Sequence, residues 1–448
     1  MVFGRWFLLA ACLLPASCAK PPPERDRPRT IIVSGDTAGR IVPCGCATNQ
    51  SGGLPRRATF LEERRKREDI VVVDVGGASG GTTPYDRLKF EAILRGEAAM
   101  GVVAHNIGRA EAQWGVEELR RLRDRRDLSP DGTPVPWISA NTTDAEGKPF
   151  VEPAKTVVLG DRRVLFLGVL SQTFATETVR ATPPRQAVLN VLRHHAGRYD
   201  HAVVLAYVPE EELRELAESL PEIDAVVGGP TGQPVPPQHP TGRTLTSSAT
   251  SQGKFLVALS LPAERDQAAG RSPGPGVLRG EIVELDERYA DDPTQVENLR
   301  AFYAVLEQRD LAPQDTPFGA VPGPPSEAWA GSKACQNCHE EEYRVWKASR
   351  HAGAWDSLVR REARYDPDCQ RCHVTGYGRP GGFETVALSA ERRDVGCESC
   401  HSGAAEHVAK TSVPTPTARR AREQCVSCHD RENSPRFEEA TYWNQIEH

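Results

Sequence analysis

The 448-residue sequence predicts an α/β domain over residues 31–288, followed by a mostly α, irregular domain over residues 331–448. Two observations carry the first part. Ile31–Val33 and Ile70–Val75 are apolar runs of buried-strand length, and helical stretches at 57–67, 87–99 and 184–196 alternate with further strands at 163–169, 201–206 and 223–228. A third observation carries the second part: eight of the twelve cysteines fall between 335 and 428, each inside a repeated five-residue unit. The length accommodates two or three domains. With 39% hydrophobic and 26% charged residues, the composition suits a globular body better than a membrane bundle. The net charge of −6, with both signs spread evenly, gives no sign of a nucleic-acid partner, and none is expected.

Residues 1–17 read as a targeting segment. Arg5 precedes the apolar run Trp6–Leu14, too short to span a bilayer but the right length for a signal-peptide core. The Leu-Pro-Ala-Ser stretch ahead of Cys18 resembles a lipoprotein processing site, with small residues just before the thiol. Cys12 fits the processing pattern more closely but leaves an apolar core of only a few residues, so Cys18 is the expected lipid anchor. A plain cleaved secretory signal is the alternative. Either way the chain is expected to be exported to the periplasmic side of a bacterial membrane, the outer rather than the inner one if it is anchored. Residues 18–30, with Pro21-Pro22-Pro23, form a stiff tether.

In the α/β domain, strands ending in Asp36 and Asp74 place carboxylates at the carboxyl edge of a sheet, where such folds build their sites. Either aspartate could equally cap a loop. Cys44-Gly45-Cys46 follows the first strand. In an oxidising compartment the pair could form a strained, readily reduced disulfide, hold a soft metal, or carry a sulfur adduct, and a structural pair without chemistry is the remaining reading. His105, His194, His195, His201 and His239 share no spacing and read as ordinary residues. Residues 289–330 join the halves: Asp292-Pro293 opens a helix, and Pro313, Pro317, Pro322, Pro324 and Pro325 mark a linker.

The four C-terminal units are Cys335-Gln-Asn-Cys338-His339, Cys369-Gln-Arg-Cys372-His373, Cys397-Glu-Ser-Cys400-His401 and Cys425-Val-Ser-Cys428-His429. Two thiols three residues apart reach the two vinyl groups of one porphyrin, and the next histidine then falls beneath the iron. Zinc ribbons do not require a histidine after every second cysteine, and a disulfide framework would not impose this regularity. Four covalent c-type haems are therefore expected. Seven histidines lie from 331 onward: the four in the units plus His351, His407 and His448. The only methionines are Met1 and Met100, so three spare histidines serve four irons and one iron is left without one of them on its distal side, to be five-coordinate or water-bound unless a lysine, a histidine of the N-terminal domain or a neighbouring chain fills the position.

These units, with Trp346-Lys-Ala-Ser-Arg-His351, Gly381-Gly382-Phe383 and Tyr442-Trp443, make residues 331–448 similar to the tetrahaem cytochromes of hydroxylamine oxidation and related multihaem nitrite reductases. The resemblance implies three bis-histidine haems and one five-coordinate haem. By position, His407 would cap the iron of His339, His351 that of His401 and His448 that of His429, leaving the iron of His373 open.

The layout of residues 31–260 resembles the 5′-nucleotidase branch of the calcineurin-like metallophosphatases, which implies a four-layer αββα sandwich. Of that family's metal-binding positions the resemblance leaves Asp36, Asp74 and Asn106. Ala38 and Tyr207 replace histidines, and Gly228-Gly229-Pro230 has lost both histidines of the last motif. No dinuclear metal site is expected, because two carboxylates and an amide are a poor substitute for a seven-ligand site. Three functions compete on this reading. The first is electron transfer to or from a periplasmic or membrane redox partner, with the α/β domain used for docking or small-molecule binding. The second is oxidoreduction of a small nitrogen or sulfur oxyanion at the open haem or at Cys44/Cys46. The third is phosphoester hydrolysis, disfavoured by the missing histidines.

Overall fold

The computed structural model of the chain describes residues 27–43, 50–240, 242–262, 277–322, 328–417, 420–430, 433–434 and 436–448. The targeting segment with Cys12 and Cys18, and the pair Cys44 and Cys46, lie outside the described residues.

Two six-stranded sheets face each other. In the first, β1 (Arg29–Ser34), β2 (Asp69–Asp74), β3 (Val102–Asn106) and β4 (Trp137–Ile138) run parallel, and β13 (Phe255–Ser260) and β14 (Arg279–Glu284) extend it antiparallel, in the order β14-β13-β1-β2-β3-β4. The second contains β6 (Ala154–Leu159), β7 (Arg162–Leu170), β9 (His201–Tyr207), β10 (Ala225–Gly229), β11 (Val235–Gln238) and β12 (Leu245–Ser248), in the order β11-β12-β10-β9-β7-β6. A two-stranded ribbon of β5 (Thr142–Thr143) and β8 (Arg180–Ala181) lies apart.

Strand alternation builds the layers. In β7 and β9, Val164, Phe166, Val203, Leu205 and Tyr207 join the core shared with the first sheet. Their alternates Leu165, Leu167, Val169, Ala202, Val204 and Ala206 face α5 (Pro184–His194) and α6 (Glu210–Ser219). Both faces are buried, so these strands read as continuous apolar runs rather than alternating ones. On the first sheet, α1 (Leu54–Arg65) and α2 (Pro84–Met100) form the outer layer. A capping box between Thr83 and Asp86 starts α2, and left-handed Gly101 ends it. The short helices α3 (Arg109–Trp114) and α4 (Val116–Arg123) follow β3. The expected αββα sandwich is therefore present.

The helix expected in the linker, α7 (Pro293–Arg309), completes this outer layer rather than standing apart from it. Its Asn298 amide donates to Ala92 O at 2.9 Å and its Gln295 amide to Gly96 O at 3.3 Å. Gly96 permits the approach, since a Cβ there would lie 2.8 Å from Gln295 Oε1 and 2.9 Å from Leu54 Cδ1.

The C-terminal domain consists of short helices: α8 (Ser332–Cys335), α9 (Glu340–Ala348), α10 (Ala354–Arg360), α11 (Pro367–His373), α12 (Cys397–His401), α13 (Ala405–Ala409) and α14 (Glu439–Trp443). Among the described residues its buried apolar cluster comprises Trp355, Leu358, Val374, Phe383 and Val386. So small a core is marginal for a domain of this length, and small domains of this kind depend on added staples. The domain is fastened to the sandwich through α2 and α7. Tyr85 donates to Asp366, Lys89 pairs with Asp368, and both Asp310 oxygens accept backbone amides, from Val386 and Ala387, at 2.9 Å.

Candidate functional site

All eight cysteines of the four units are free of disulfides. Polar contacts between units bring them into one cluster. Cys335 lies beside Cys397, and Cys372 beside Cys428. Cys400 faces Cys425 and Cys428. Glu398, inside the third unit and buried, accepts amides from Ala330, Gly331 and Ala404 at 2.7–2.8 Å, and Cys397 N donates to Ser332 Oγ at 3.0 Å. The first unit thus lies against the third, the third against the fourth, and the fourth against the second.

The histidines are arranged for metal ligation. Nδ1 of His373 is bonded to Ala354 O at 2.9 Å, Nδ1 of His407 to Val413 O and Nδ1 of His448 to Ile446 O, both at 2.8 Å. A carbonyl only accepts, so each Nδ1 carries the proton and each Nε2 keeps its lone pair free for a metal. Burial, then neighbouring imidazoles, hold His351 and His401 below the usual imidazole value, which keeps them neutral.

Three ring pairs stand out: His339 and His407 at 6.1 Å between centres, His351 and His429 at 6.2 Å, and His401 and His448 at 5.9 Å. A metal–imidazole bond is about 2 Å long and the ring centre lies about 1 Å behind the nitrogen, so two imidazoles trans on one iron have centres about 6 Å apart. The His339–His407 pair is the one expected by position. The other two are exchanged: the structure sets His351 against His429 and His448 against His401. The physical reason is that a distal ligand's partner is chosen by packing. Ser349 fixes the turn at His351, and Val395 N, just ahead of the third unit, bonds to His351 O at 3.2 Å. That backbone contact puts His351 beside the third unit in the chain while its ring reaches His429. Among the described residues His373 has no imidazole partner at such a separation. The residues present thus fit c-type haem.

In the sandwich, each of the three residual metallophosphatase positions Asp36, Asp74 and Asn106 is bonded to other protein groups. Asp36 accepts from Tyr207 OH at 3.2 Å and from Thr250 Oγ1. Asp74 accepts from Ser34 Oγ at 2.6 Å and from Gly76 N at 2.8 Å. The Asn106 amide donates to Val75 O, Val169 O and Leu205 O at 2.9–3.0 Å, which holds the two sheets together. Tyr207 fills the place of the expected histidine and lies on Gly77, where a Cβ would meet its ring at 2.3 Å. Burial, reinforced by Asp36, holds its phenol well above the ordinary range, so it is a neutral donor. The amides of Gly77, Ala78 and Ser79 form an anion-binding nest, and the Glu111 carboxylate already occupies it at 2.7–3.1 Å.

One histidine taken as ordinary is not. His105, fully buried on β3, bonds through Nδ1 to Glu97 Oε2 at 2.9 Å and lies close to Asp74 and Glu111. The available signal was a histidine inside an otherwise apolar strand, Val102-Val103-Ala104-His105-Asn106.

Fold and site together give a C-terminal domain with four units of the c-type haem-attachment pattern, joined to a domain of 5′-nucleotidase-like fold. Residues 334–402 match the family model described as cytochrome c554 and c-prime. Cytochrome c-554 of Nitrosomonas europaea is 37% identical over an alignment of 68 residues, with a coverage of 12% of this chain and 29% of that protein. The sandwich is similar to a 5′-nucleotidase precursor from Thermus thermophilus, with a TM-score of 0.53 and 19% identity over 64% of this chain and 60% of that one. It is also similar to the sulfate thiohydrolase SoxB of Thermus thermophilus, with a TM-score of 0.50 and 16% identity over 66% of this chain and 63% of that one. The chain thus spans less than a third of the curated relative and less than two thirds of these solved structures. At such identities the structural likeness shows the fold alone.

Proposed function

We propose that this chain is an electron-transfer protein carrying four c-type haems, three of them bis-histidine, and that its 5′-nucleotidase-like domain docks a partner or a small molecule without hydrolysing it. The observation that carries the reading is the set of three imidazole pairs at 5.9–6.2 Å, with His373 left single. Bis-histidine irons pass electrons and take no further ligand. The contiguity of the units, in the order first, third, fourth, second, supports a continuous path between two ends. Among the described residues no helix is long and apolar enough to cross a membrane. A periplasmic location, with anchoring through a lipid on Cys18, is the setting in which such haems are attached and a periplasmic or membrane redox partner is met. The intact mature protein is expected to exceed the polypeptide mass by four haems. A shortfall persisting when a haem-ligation system is co-expressed would overturn the count.

The single state of His373 favours a second reading, oxidoreduction of a small nitrogen or sulfur oxyanion at that haem. The reduced protein should bind about one carbon monoxide per chain, because one iron has no protein ligand on its distal side.

Phosphoester hydrolysis is expected to be absent. The cleft is closed by Tyr207, Thr250 and Asp36, and Glu111 already holds the anion nest. Manganese-supplemented protein should release no phosphate from a nucleoside monophosphate above a no-protein control. Sustained turnover that a Tyr207→Phe variant leaves unchanged would show that this cleft has been misread.

A further inference from the structure

On the helix side of the first sheet, away from the closed cleft, Asp74, Glu97 and His105 each direct one donor atom into a space where all three lie within 4.8 Å of one another. All three are fully buried. Asp74 ends β2, Glu97 sits near the end of α2, and His105 is on β3 beside Asn106. Because neighbouring strand residues point to opposite faces, His105 faces α2 while Asn106 bonds to the other sheet.

We propose that Asp74, Glu97 and His105 bind a single divalent transition-metal ion of the zinc–manganese class, a site that takes Asp74 from the residual metallophosphatase positions and its other two ligands from the helix side of the sheet. Geometry supports it. His105 Nδ1 is 2.9 Å from Glu97 Oε2 and 3.9 Å from Asp74 Oδ1, and two donors around a tetrahedral ion at about 2.1 Å are about 3.4 Å apart. One nitrogen and two carboxylates suit a borderline or hard divalent ion. Two buried atoms in the cluster are unpartnered, Glu97 Oε1 and His105 Nε2. Bound through Nδ1, His105 would turn its Nε2–H toward Glu111 Oε1, now 4.0 Å away, giving the carboxylate–histidine–metal arrangement typical of such sites. Glu111 is itself fixed by three amides, and Asp74 by Ser34 and Gly76.

Charge balance points the same way. Three carboxyl groups, Asp74, Glu97 and Glu111, share a buried space faced by one guanidinium, Arg57. A divalent ion there would offset the carboxylates that bind it. Because the space is enclosed, loading would accompany folding.

The test is elemental analysis of the full-length holoprotein produced with zinc or manganese supplementation, with haem iron counted separately. The expected result is about one zinc or manganese per chain. Glu97→Gln and His105→Gln should reduce this at least tenfold, and Glu111→Gln should weaken retention against a chelator roughly 10–100-fold, as loss of a supporting carboxylate does. Asp36→Asn should change nothing. Wild-type protein with less than about a tenth of a non-haem metal per chain would overturn the site, since the cluster would then be a protonated ion-pair network. Metal lost on Asp36→Asn but kept in Glu97→Gln would overturn it too, by moving the ion to the cleft.

Discussion

Replacing His351 with alanine is expected to make the haem of the fourth unit, Cys425–His429, high-spin and to raise carbon monoxide binding from about one to about two per chain, because a lost axial ligand opens an iron. The pairing of rings at 6.2 Å sets this expectation, and chain position alone would have assigned the third unit instead. A background lacking the fourth haem separates the two. With Cys425 and Cys428 both changed to alanine, His351→Ala should add no further high-spin iron, because its own iron is already gone. A new high-spin signal in that background would place His351 on the third unit after all.

The second large effect concerns the joint between the domains. Lys89 is 7% exposed, packs over the Tyr85 ring at 4.5 Å and pairs with Asp368, the residue just before Cys369. Lys89→Met leaves the carboxylate without its main partner. Removing one member of a buried pair costs roughly 3–5 kcal/mol, and about 3 kcal/mol is expected here, since Arg40 and Arg371 still face Asp368 and the carboxylate keeps some solvent contact. Urea denaturation followed by haem absorbance should show this loss, and the double variant Lys89→Met/Asp368→Asn should recover part of it. A single variant within about 0.5 kcal/mol of wild type would mean the pair is dispensable and the joint rests on Tyr85, Asp310 and α7.

The haem units were legible in the sequence because attachment is local: two thiols and a histidine within five residues satisfy one porphyrin, and no tertiary contact is needed to see it. The buried strands of the sandwich were legible for the same reason, as with Ile31–Val33 and 201–206, whose apolar runs mark both faces as covered. Antiparallel β13 and β14 were not read, because their membership of the first sheet depends on pairing across more than two hundred residues. Neither was α7's place in the helix layer, which rests on Asn298 of α7 meeting Ala92 of α2 across a similar distance.

The distal ligands show the boundary within one site. Counting histidines against irons gave the number of pairs, since a count needs no geometry. Deciding which ring meets which did not follow, because His351 and His448 reach their partners through the packing of loops that share no sequence pattern. His105 failed for a related reason. Its partners, Asp74 and Glu97, come from a preceding strand and helix, so the apolar run around it marks it as buried but does not tell which groups it meets. Tyr207 was visible as a substitution, but its pairing with Asp36, and the filling of the nest by Glu111, are properties of the fold.

Seven histidines, six of them in pairs and one alone, for the four proposed irons make the arrangement on which the proposed function stands. Redox-titrated electron paramagnetic resonance of the full-length holoprotein tests it most directly, because it counts irons and reports their spin states together. The oxidised protein should show three low-spin irons and one high-spin iron, the high-spin signal disappearing in His373→Ala. Four low-spin irons, or fewer than four irons in protein with fully occupied cysteines, would contradict it.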